Sequence, residues 1–207
     1  MARWHLNHDF ETMGQSVTKV ALVNLAYIVF DWDRFTADPY TYDELLSEVE
    51  FVKFDVKKQI KDGYIIEKSS IEEFWSKMPL EVKKQIQPSK EDLTYDQVCD
   101  KITQSLENVK IDYWWSRSNT FDPILLWRIF EDSGRIDEMH KKLKFWKVRD
   151  IRTYIDACSD FQLNRNGFIP IAKEEWDAKF IAHDPKHDIV GDVLRLQKIV
   201  QLQSGTE

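Results

Sequence analysis

Two carboxylates lie two residues apart near the start of the chain, within Asn7-His8-Asp9-Phe10-Glu11-Thr12-Met13-Gly14. The surrounding residues predict two strands joined by a turn, and residues i and i+2 of a strand point to the same face. Asp9 and Glu11 are therefore expected to project together, with Phe10 on the opposite face. Adjacent like charges are costly unless a cation lies between them, and divalent cations prefer carboxylate oxygens. Taken alone the pattern is more typical of a solvated face, so a metal site needs further ligands elsewhere in the chain.

A third acidic candidate, Asp122, follows Phe121 at the end of a predicted strand and precedes Pro123. Catalytic residues of open α/β sheets often lie at strand ends. An Asp before a Pro is also an ordinary helix start, in which the carboxylate caps the first turn. The residues alone favour the capping role.

The candidates near the end of the chain are His183 and Asp188, five residues apart where a loop meets the last predicted helix. Asp188 is expected in the first turn of that helix and His183 on the approach to it. Zinc binding by His183 and His187 at i, i+4 is disfavoured, because Pro185 interrupts any helix that contains both.

The hydrophobic pattern predicts three strands, followed by helices and further strands in alternation. The predicted strands are 3–10, 19–31, 50–56, 112–118 and 145–149, and the predicted helices are 70–78, 80–86, 94–106, 123–134, 150–158 and 186–203, with a loop at 166–170. Ser70 and Glu73 are expected to form a capping box. The pattern favours an α/β fold, a mixed β-sheet with three antiparallel strands and then parallel strands, flanked by helices, in one domain spanning residues 1–207.

Composition narrows the class of protein. The chain has 207 residues, 43% hydrophobic and 31% charged, with a net charge of −7. This charge argues against sequence-blind adhesion of nucleic acid to a basic surface, but not against a nuclease, because bound divalent ions can supply positive charge. Cys99 and Cys158 are expected to be reduced thiols, and His5 and His8 to point to opposite faces of a strand. No signal peptide or membrane-spanning run is expected, which favours a cytoplasmic protein.

With these positions identified, the chain resembles the DEDDh 3′-5′ exonucleases of the RNase H-like fold. The signature of that family is Asp-x-Glu, then an Asp after Phe or Tyr, then His-x4-Asp. The matching residues here are Asp9 and Glu11, Phe121 and Asp122, and His183 and Asp188. The chain is also similar to the exodeoxyribonuclease A group of T-even phages at 9–14, 149–153 and 182–188, and the resemblance spans nearly the whole chain.

This resemblance implies an enzyme that hydrolyses single-stranded DNA from the 3′ end and releases nucleoside 5′-monophosphates. It implies two divalent metal ions, Mg²⁺ or Mn²⁺. Asp9 would bridge both ions, Glu11 and Asp188 would bind the first, and Asp122 would help to hold the second. His183 would act as general base on the attacking water.

Several residues are expected to bind the substrate. The backbone of Thr12 and Met13 is expected to contact the 3′ hydroxyl, and Met13 either packs on the last base or lies in the core. Asn119, three residues before Asp122, stands closer to it than the positioning Asn of the family usually does. Gly14 suits a position where the backbone takes φ > 0 or approaches a ligand closely. Further candidates are Trp115 and Trp146 for base stacking, and Arg149 and Arg152 for phosphates or as partners of Asp150.

Other functions remain open. One is a 3′-5′ exoribonuclease of the same fold, because the groups that distinguish RNA from DNA are not visible in the sequence. Another, from a different class, is an inactive nucleic-acid-binding module. The expected partner is a single-stranded 3′ end, DNA rather than RNA, with no membrane partner. A homodimer is also open, and a phage-encoded protein would act in the host cytoplasm.

Overall fold

A five-stranded sheet forms the centre of the computed structural model, which describes residues 2–159, 167–169 and 179–205. The strands are β1 (Trp4–Thr12), β2 (Leu22–Asp31), β3 (Glu50–Lys53), β4 (Ile111–Ser116) and β5 (Val148–Asp150), in the order β3-β2-β1-β4-β5. The β1–β2 and β2–β3 pairs are antiparallel, and the β1–β4 and β4–β5 pairs are parallel. The predicted mixed sheet is therefore confirmed.

Helices surround this sheet. In the described residues they are α1 (Arg34–Ala37), α2 (Tyr42–Glu48), α3 (Val56–Lys61), α4 (Leu80–Gln85), α5 (Tyr95–Ser105), α6 (Asp122–Asp132), α7 (Ile136–Lys142), α8 (Ile151–Cys158) and α9 (Pro185–Ser204). The sequence patterns missed α1, α2, α3 and α7, because a helix of two turns or fewer shows too little of the helical period. The loop predicted at 166–170 lies only partly within the described residues. None of the described helices is long and apolar enough to span a membrane.

Three predicted elements differ from the structure. The predicted helix at 70–78 is a π-helical turn, Ser70–Phe74, followed by a 3₁₀ turn, Trp75–Lys77, and no side chain caps its start. A capping box forms instead between Thr94 and Gln97 at the start of α5. The strand predicted at 50–56 ends at Lys53, because Asp55 caps α3. The strand predicted at 145–149 is a 3₁₀ turn, Phe145–Lys147, before the short β5.

Two apolar layers cover the two faces of the sheet. Trp114 belongs to the layer with α5 and α6, and Trp115 to the layer with α8 and α9, because successive side chains of a strand alternate. Trp115 is 3% exposed, so the prediction that it stacks on bases is wrong. His5 contacts Trp115 and His8 contacts Trp114, which confirms that the two histidines face opposite ways. Cys99 and Cys158 are not joined by a disulfide in the structure, and their reduced state stays a prediction.

Candidate active site

One cavity, of about 1000 Å³, collects the candidate residues at the carboxyl end of β1. Its wall contains all five predicted catalytic residues, namely Asp9, Glu11, Asp122, His183 and Asp188. They come from β1, from the start of α6 and from the start of α9, which are remote from one another in sequence. The fold thus assembles the predicted constellation.

Strand β1 presents Asp9 and Glu11 on one face, as its alternation requires. Phe10, between them, is 5% exposed and lies in the core on the other face. The β1–β2 register shifts between Glu11 and Thr12. Irregularities of this kind often lie beside active sites, where they redirect a side chain. Here the shift directly follows the second carboxylate.

Asp122 is the first residue of α6, after the N-cap Phe121. Its Oδ1 accepts a hydrogen bond of 3.2 Å from the backbone N–H of Phe10. The capping role favoured by the sequence is therefore wrong. This carboxylate joins α6 to β1 at the peptide between Asp9 and Glu11.

Helix α9 begins beside the same cavity. Asp184 caps it by accepting a hydrogen bond from the Lys186 N–H, and Asp188 lies in its first turn as predicted. His183, just before the cap, has a φ of 62°, a conformation that is strained for a residue with a side chain. Its ring packs edge-on against Phe74 of the π-helical turn, with the centroids 5.1 Å apart. Strain held in place by neighbouring structure is typical of functional sites.

The four predicted carboxylates of this cavity are shielded from solvent to different degrees, with Asp122 buried and Asp9, Glu11 and Asp188 half-buried. Burial raises the pKa of Asp9 and of Glu11 well above the usual range, and neighbouring carboxylates raise both further. Burial also raises the pKa of Asp122 and of Asp188 to about 7. Near neutral pH these carboxyl groups would therefore largely hold protons in the absence of a cation, and a bound divalent cation would favour their deprotonated form.

This arrangement fits divalent cations. One ligand atom each from Glu11, His183 and Asp188 lies within 4.8 Å of the others. A set dominated by carboxylate oxygens is the preferred surrounding of Mg²⁺ and Mn²⁺. His187 does not join it, because its Nδ1 contacts the Tyr42 hydroxyl. The zinc pair that the sequence disfavoured is therefore not formed.

Comparison with known proteins places this geometry in a family. A family model described as the 3′-5′ exoribonuclease Rv2179c-like domain matches residues 4–188. The chain belongs to this family. It is also 34% identical over 212 residues to an exodeoxyribonuclease of Enterobacteria phage T4, across 96% of this chain and 90% of the relative. The predicted 3′-5′ exonuclease family is thereby confirmed, and with it the enzyme class, a nuclease of the hydrolases.

Solved structures of E. coli exonuclease I share the fold. A zinc-bound complex with single-stranded DNA has a TM-score of 0.59 and 16% identity, and covers 98% of this chain and 41% of its own. A product-bound structure has a TM-score of 0.60 and 17% identity, and covers 100% of this chain and 45% of its own. The chain thus spans less than half the length of exonuclease I. The likeness confirms the RNase H-like fold.

The cavity also contains a fifth carboxylate, Asp192, which the sequence patterns did not indicate. It is 4% exposed and accepts hydrogen bonds from Arg117 Nε at 2.7 Å and from Arg195 Nη1 at 3.2 Å. Its position one helical turn after Asp188 was the available signal, since residues four apart share a helix face. The two guanidinium groups balance the charge of Asp192. The candidate metal-binding carboxylates have no such pair of hydrogen-bonded guanidinium groups among the described residues.

The turn after Glu11 departs from the expected substrate contacts. Met13 is 4% exposed and packs in the core, which is the second of its two expected positions, so its side chain has no surface for a base. The Met13 N–H donates to the Ala21 carbonyl, and the Met13 carbonyl accepts from the Glu67 N–H. The Thr12 carbonyl accepts from the Trp75 indole at 3.0 Å. These internal bonds occupy the Met13 N–H and both carbonyls, whereas Thr12 also lines a smaller cavity beside Glu11. The contact of Thr12 and Met13 with the 3′ end therefore stays a prediction.

Asn119 lies beside the cavity. Ser118 and Thr120 line the wall, whereas Asn119 is absent from it among the described residues. The Asn119 backbone N–H donates to Asp150 Oδ2 at 3.2 Å. The substrate-positioning role expected for Asn119 is therefore unsupported by its position.

A second cavity, of about 410 Å³, continues from the first past Glu11. Phe10, Glu11, Gln15 and Phe121 line both cavities. The additional walls are residues of the turn and of the π-helical segment, including Gly14, Glu67 and Phe74. Gly14 is a point of close approach to the Glu67 side chain, because a Cβ there would lie 2.4 Å from Glu67 Cδ. Its φ is not positive, and its predicted approach to a ligand stays a prediction.

Proposed function

We propose that this chain degrades single-stranded DNA from the 3′ end and releases nucleoside 5′-monophosphates, with two divalent cations, Mg²⁺ or Mn²⁺, as cofactors. The observation that carries the proposal is the convergence of four carboxylates, of which Asp122 is buried and the others are half-buried, and of His183 in one cavity. The name of the T4 relative, an exodeoxyribonuclease, supports DNA as the substrate. Residues 1–207 act in this proposal as one catalytic domain.

The cations would be held by Asp9, Glu11, Asp122 and Asp188. When bound, they would bind the scissile phosphate, activate a water and stabilise the leaving oxygen. The protein must hold these carboxylates deprotonated and in place, and the Phe10–Asp122 hydrogen bond contributes to that.

His183 is the proposed general base. Its imidazole lies within 4.8 Å of ligand atoms of Glu11 and Asp188, so it borders the position that an attacking water would occupy. Histidine is the usual side chain for proton transfer near neutral pH. The Phe74 ring and the strained backbone at His183 limit where the imidazole can point.

We assign to the second cavity the preference of the enzyme for the end of a strand over internal positions. A terminal nucleotide placed there would leave its phosphodiester at Glu11, where both cavities meet. Its volume is within the range of small-ligand sites. A chain end can enter such a site, whereas an internal nucleotide would have to continue through its walls.

A 3′-5′ exoribonuclease is the second candidate, favoured by the description of the matching family model. An inactive binding module is less well supported, since all five motif residues line the cavity. Oligomeric state stays open, including a homodimer. The phage origin of the T4 relative supports action in a host cytoplasm.

The test uses matched DNA and RNA oligomers that carry a 5′ label. With Mg²⁺ or Mn²⁺ we expect labelled DNA to shorten stepwise from the 3′ end, faster than RNA, and EDTA to stop the reaction. A DNA oligomer with a blocked 3′ end is the control and should persist. Equal digestion of the blocked oligomer would contradict an exonuclease, and faster digestion of RNA would favour the second candidate.

A further inference from the structure

An exposed aromatic pair lies outside the cavity, on the 3₁₀ turn that precedes β5. Phe145 is 56% exposed and Trp146 is 60% exposed, and their rings meet edge to face with centroids 4.9 Å apart. Most large apolar side chains of the chain are buried, including six of the other Trp and Phe rings that are less than 2% exposed. Two adjacent exposed rings therefore require an explanation.

The turn that carries them is firmly anchored. The Trp114 indole donates to the Lys144 carbonyl at 2.9 Å, and Arg149 Nη1 donates to the Trp146 carbonyl at 3.0 Å. The Arg149 guanidinium in turn lies 4.2 Å from the centroid of the Tyr113 ring. A surface held in this way loses little entropy when it binds a ligand.

Cations surround the rings in a protein that is acidic overall. Between 141 and 152 the sequence contains Lys141, Lys142, Lys144, Lys147, Arg149 and Arg152. Acidic groups also lie near this region: Asp150 binds the backbone N–H groups of Thr153 and Asn119, Asp112 lies 3.9 Å from Lys147, and Glu138 interacts with Lys141. Lys144 Nζ lies 5.9 Å from the Trp146 ring. The region thus has an excess of positive charge next to flat apolar rings.

This region leads to the cavity. Arg152, on the first turn of α8, lines the cavity wall. Arg149 precedes it on β5, the edge strand of the sheet within the described residues, and Trp146 lies on the 3₁₀ turn before β5. At most about 20 Å of extended chain separates residues 146 and 152. That distance suits a single-stranded site, since such sites cover about 4–16 nucleotides.

We propose that Lys144, Phe145, Trp146, Arg149 and Arg152 form a second nucleic-acid site, the edge-strand track, which holds the single strand upstream of the 3′ end under cleavage. Bases stack on Trp146 and Phe145, and phosphates contact Lys144, Arg149 and Arg152. The proposal rests on the proposed exonuclease function. Charge complementarity selects this occupant, since single strands bind where a basic path carries aromatic rings.

The first experiment compares Trp146→Ala with Leu80→Ala, which truncates another exposed apolar side chain, 68% exposed on α4. The substrates are a dT30 oligomer and a dinucleotide too short to reach from the cavity to Trp146. For Trp146→Ala we expect KM for dT30 to rise about tenfold, from the loss of one stacking contact. Both constants for the dinucleotide, and all constants of Leu80→Ala, should match the wild type. An unchanged KM for dT30 would overturn the proposal.

A second experiment separates this proposal from the enzymatic one. Binding of dT30 is measured in EDTA by the quenching of tryptophan fluorescence and by filter retention. Lys144→Glu is compared with Lys84→Glu on α4, which makes the same charge change away from the track. We expect Lys144→Glu alone to weaken binding several-fold and to flatten its dependence on salt.

The outcomes are distinguishable. If the wild type cleaves neither substrate with Mg²⁺ or Mn²⁺ but binds dT30 through Trp146 and Lys144, the proposed catalysis fails and the track stands. If the wild type cleaves both substrates and neither variant affects dT30, the track fails and catalysis stands. Sedimentation that changes from dimer to monomer in Trp146→Ala, with dT30 kinetics intact, would make this face a contact between copies and would also overturn the track.

Discussion

The backbone N–H of Phe10 donates a hydrogen bond of 3.2 Å to the carboxylate of Asp122. The two residues are 112 positions apart, and the bond joins the peptide between Asp9 and Glu11 to the first residue of α6. A substitution of Asp122 can separate the effect of its negative charge from the effect of its hydrogen-bond acceptor. An Asn side chain keeps an acceptor for the N–H but has no negative charge.

Asp122→Asn is expected to stabilise the protein without metal and to inactivate it. Burial raises the pKa of Asp122 to about 7, so at pH 8 its charge opposes folding. We expect a free energy of unfolding in EDTA at pH 8 higher by on the order of 1–4 kcal/mol, together with a large loss of turnover. Urea unfolding and oligonucleotide digestion measure the two effects. Lower stability in Asp122→Asn would show that its charge is already compensated.

Divalent cations should stabilise the protein most at alkaline pH. The folded-state pKa of Asp122 and of Asp188 is raised to about 7 from 3.8, so the metal-free protein loses stability as pH rises through that interval. Bound cations would compensate the negative charge of these two carboxylates. We expect Mn²⁺ to raise Tm clearly at pH 8 and only slightly at pH 5.5, where both carboxylates hold protons. An equal rise at both pH values would contradict a site made of these groups.

Asp9→Ala and Asp188→Ala are expected to abolish Mg²⁺-dependent cleavage while the fold persists. Both carboxylates line the cavity from different elements, so neither can replace the other. Asp137→Ala, on the exposed surface of α7, is the matched control and should retain activity. Digestion assays with circular dichroism check both points. Full activity in Asp188→Ala would remove the proposed site.

His183→Gly should separate catalysis from strain. The φ of 62° at His183 is readily adopted by Gly, so this variant is expected to be at least as stable as His183→Ala. Both variants should lower kcat by roughly 10²–10⁴, the usual contribution of a general base. Thermal unfolding and single-turnover rates provide the comparison. A kcat near the wild-type value in either variant would exclude His183 as the base.

Gly14→Ala should destabilise the turn through Glu67. The added Cβ would lie 2.4 Å from Glu67 Cδ, and the Glu67 carboxylate accepts hydrogen bonds of 3.0 Å from the N–H groups of Gln15 and Ser16. We expect a loss of about 1–3 kcal/mol, the usual effect of unpaired polar groups. A double-mutant cycle with Glu67→Ala is the control, since Gly14→Ala should add little once Glu67 is truncated. Additive losses would point to another cause.

The local patterns of the sequence determined the elements that carry chemistry. Alternation along β1 was sufficient to place Asp9 and Glu11 on one face, because the period of a strand does not depend on its neighbours. Pro185 likewise indicated the start of α9 and so placed Asp188 in its first turn, because a helix start is also a local feature of the sequence. The long strands and the order of antiparallel and parallel pairs were also predictable, since each strand has its own apolar run.

Only the tertiary structure decided what covers each face. Met13 and Trp115 are buried, and Asp192 lies in the cavity between two arginines. These positions depend on the packing of α9 and of the segment at 64–77, which local sequence patterns do not report. The same packing brought Asp122 to Phe10 and turned its side chain away from capping α6. Burial and contact arise from residues distant in sequence, whereas spacing reports only on neighbours. For that reason the sequence singled out the candidate carboxylates through the family resemblance, and the fold alone showed that they meet.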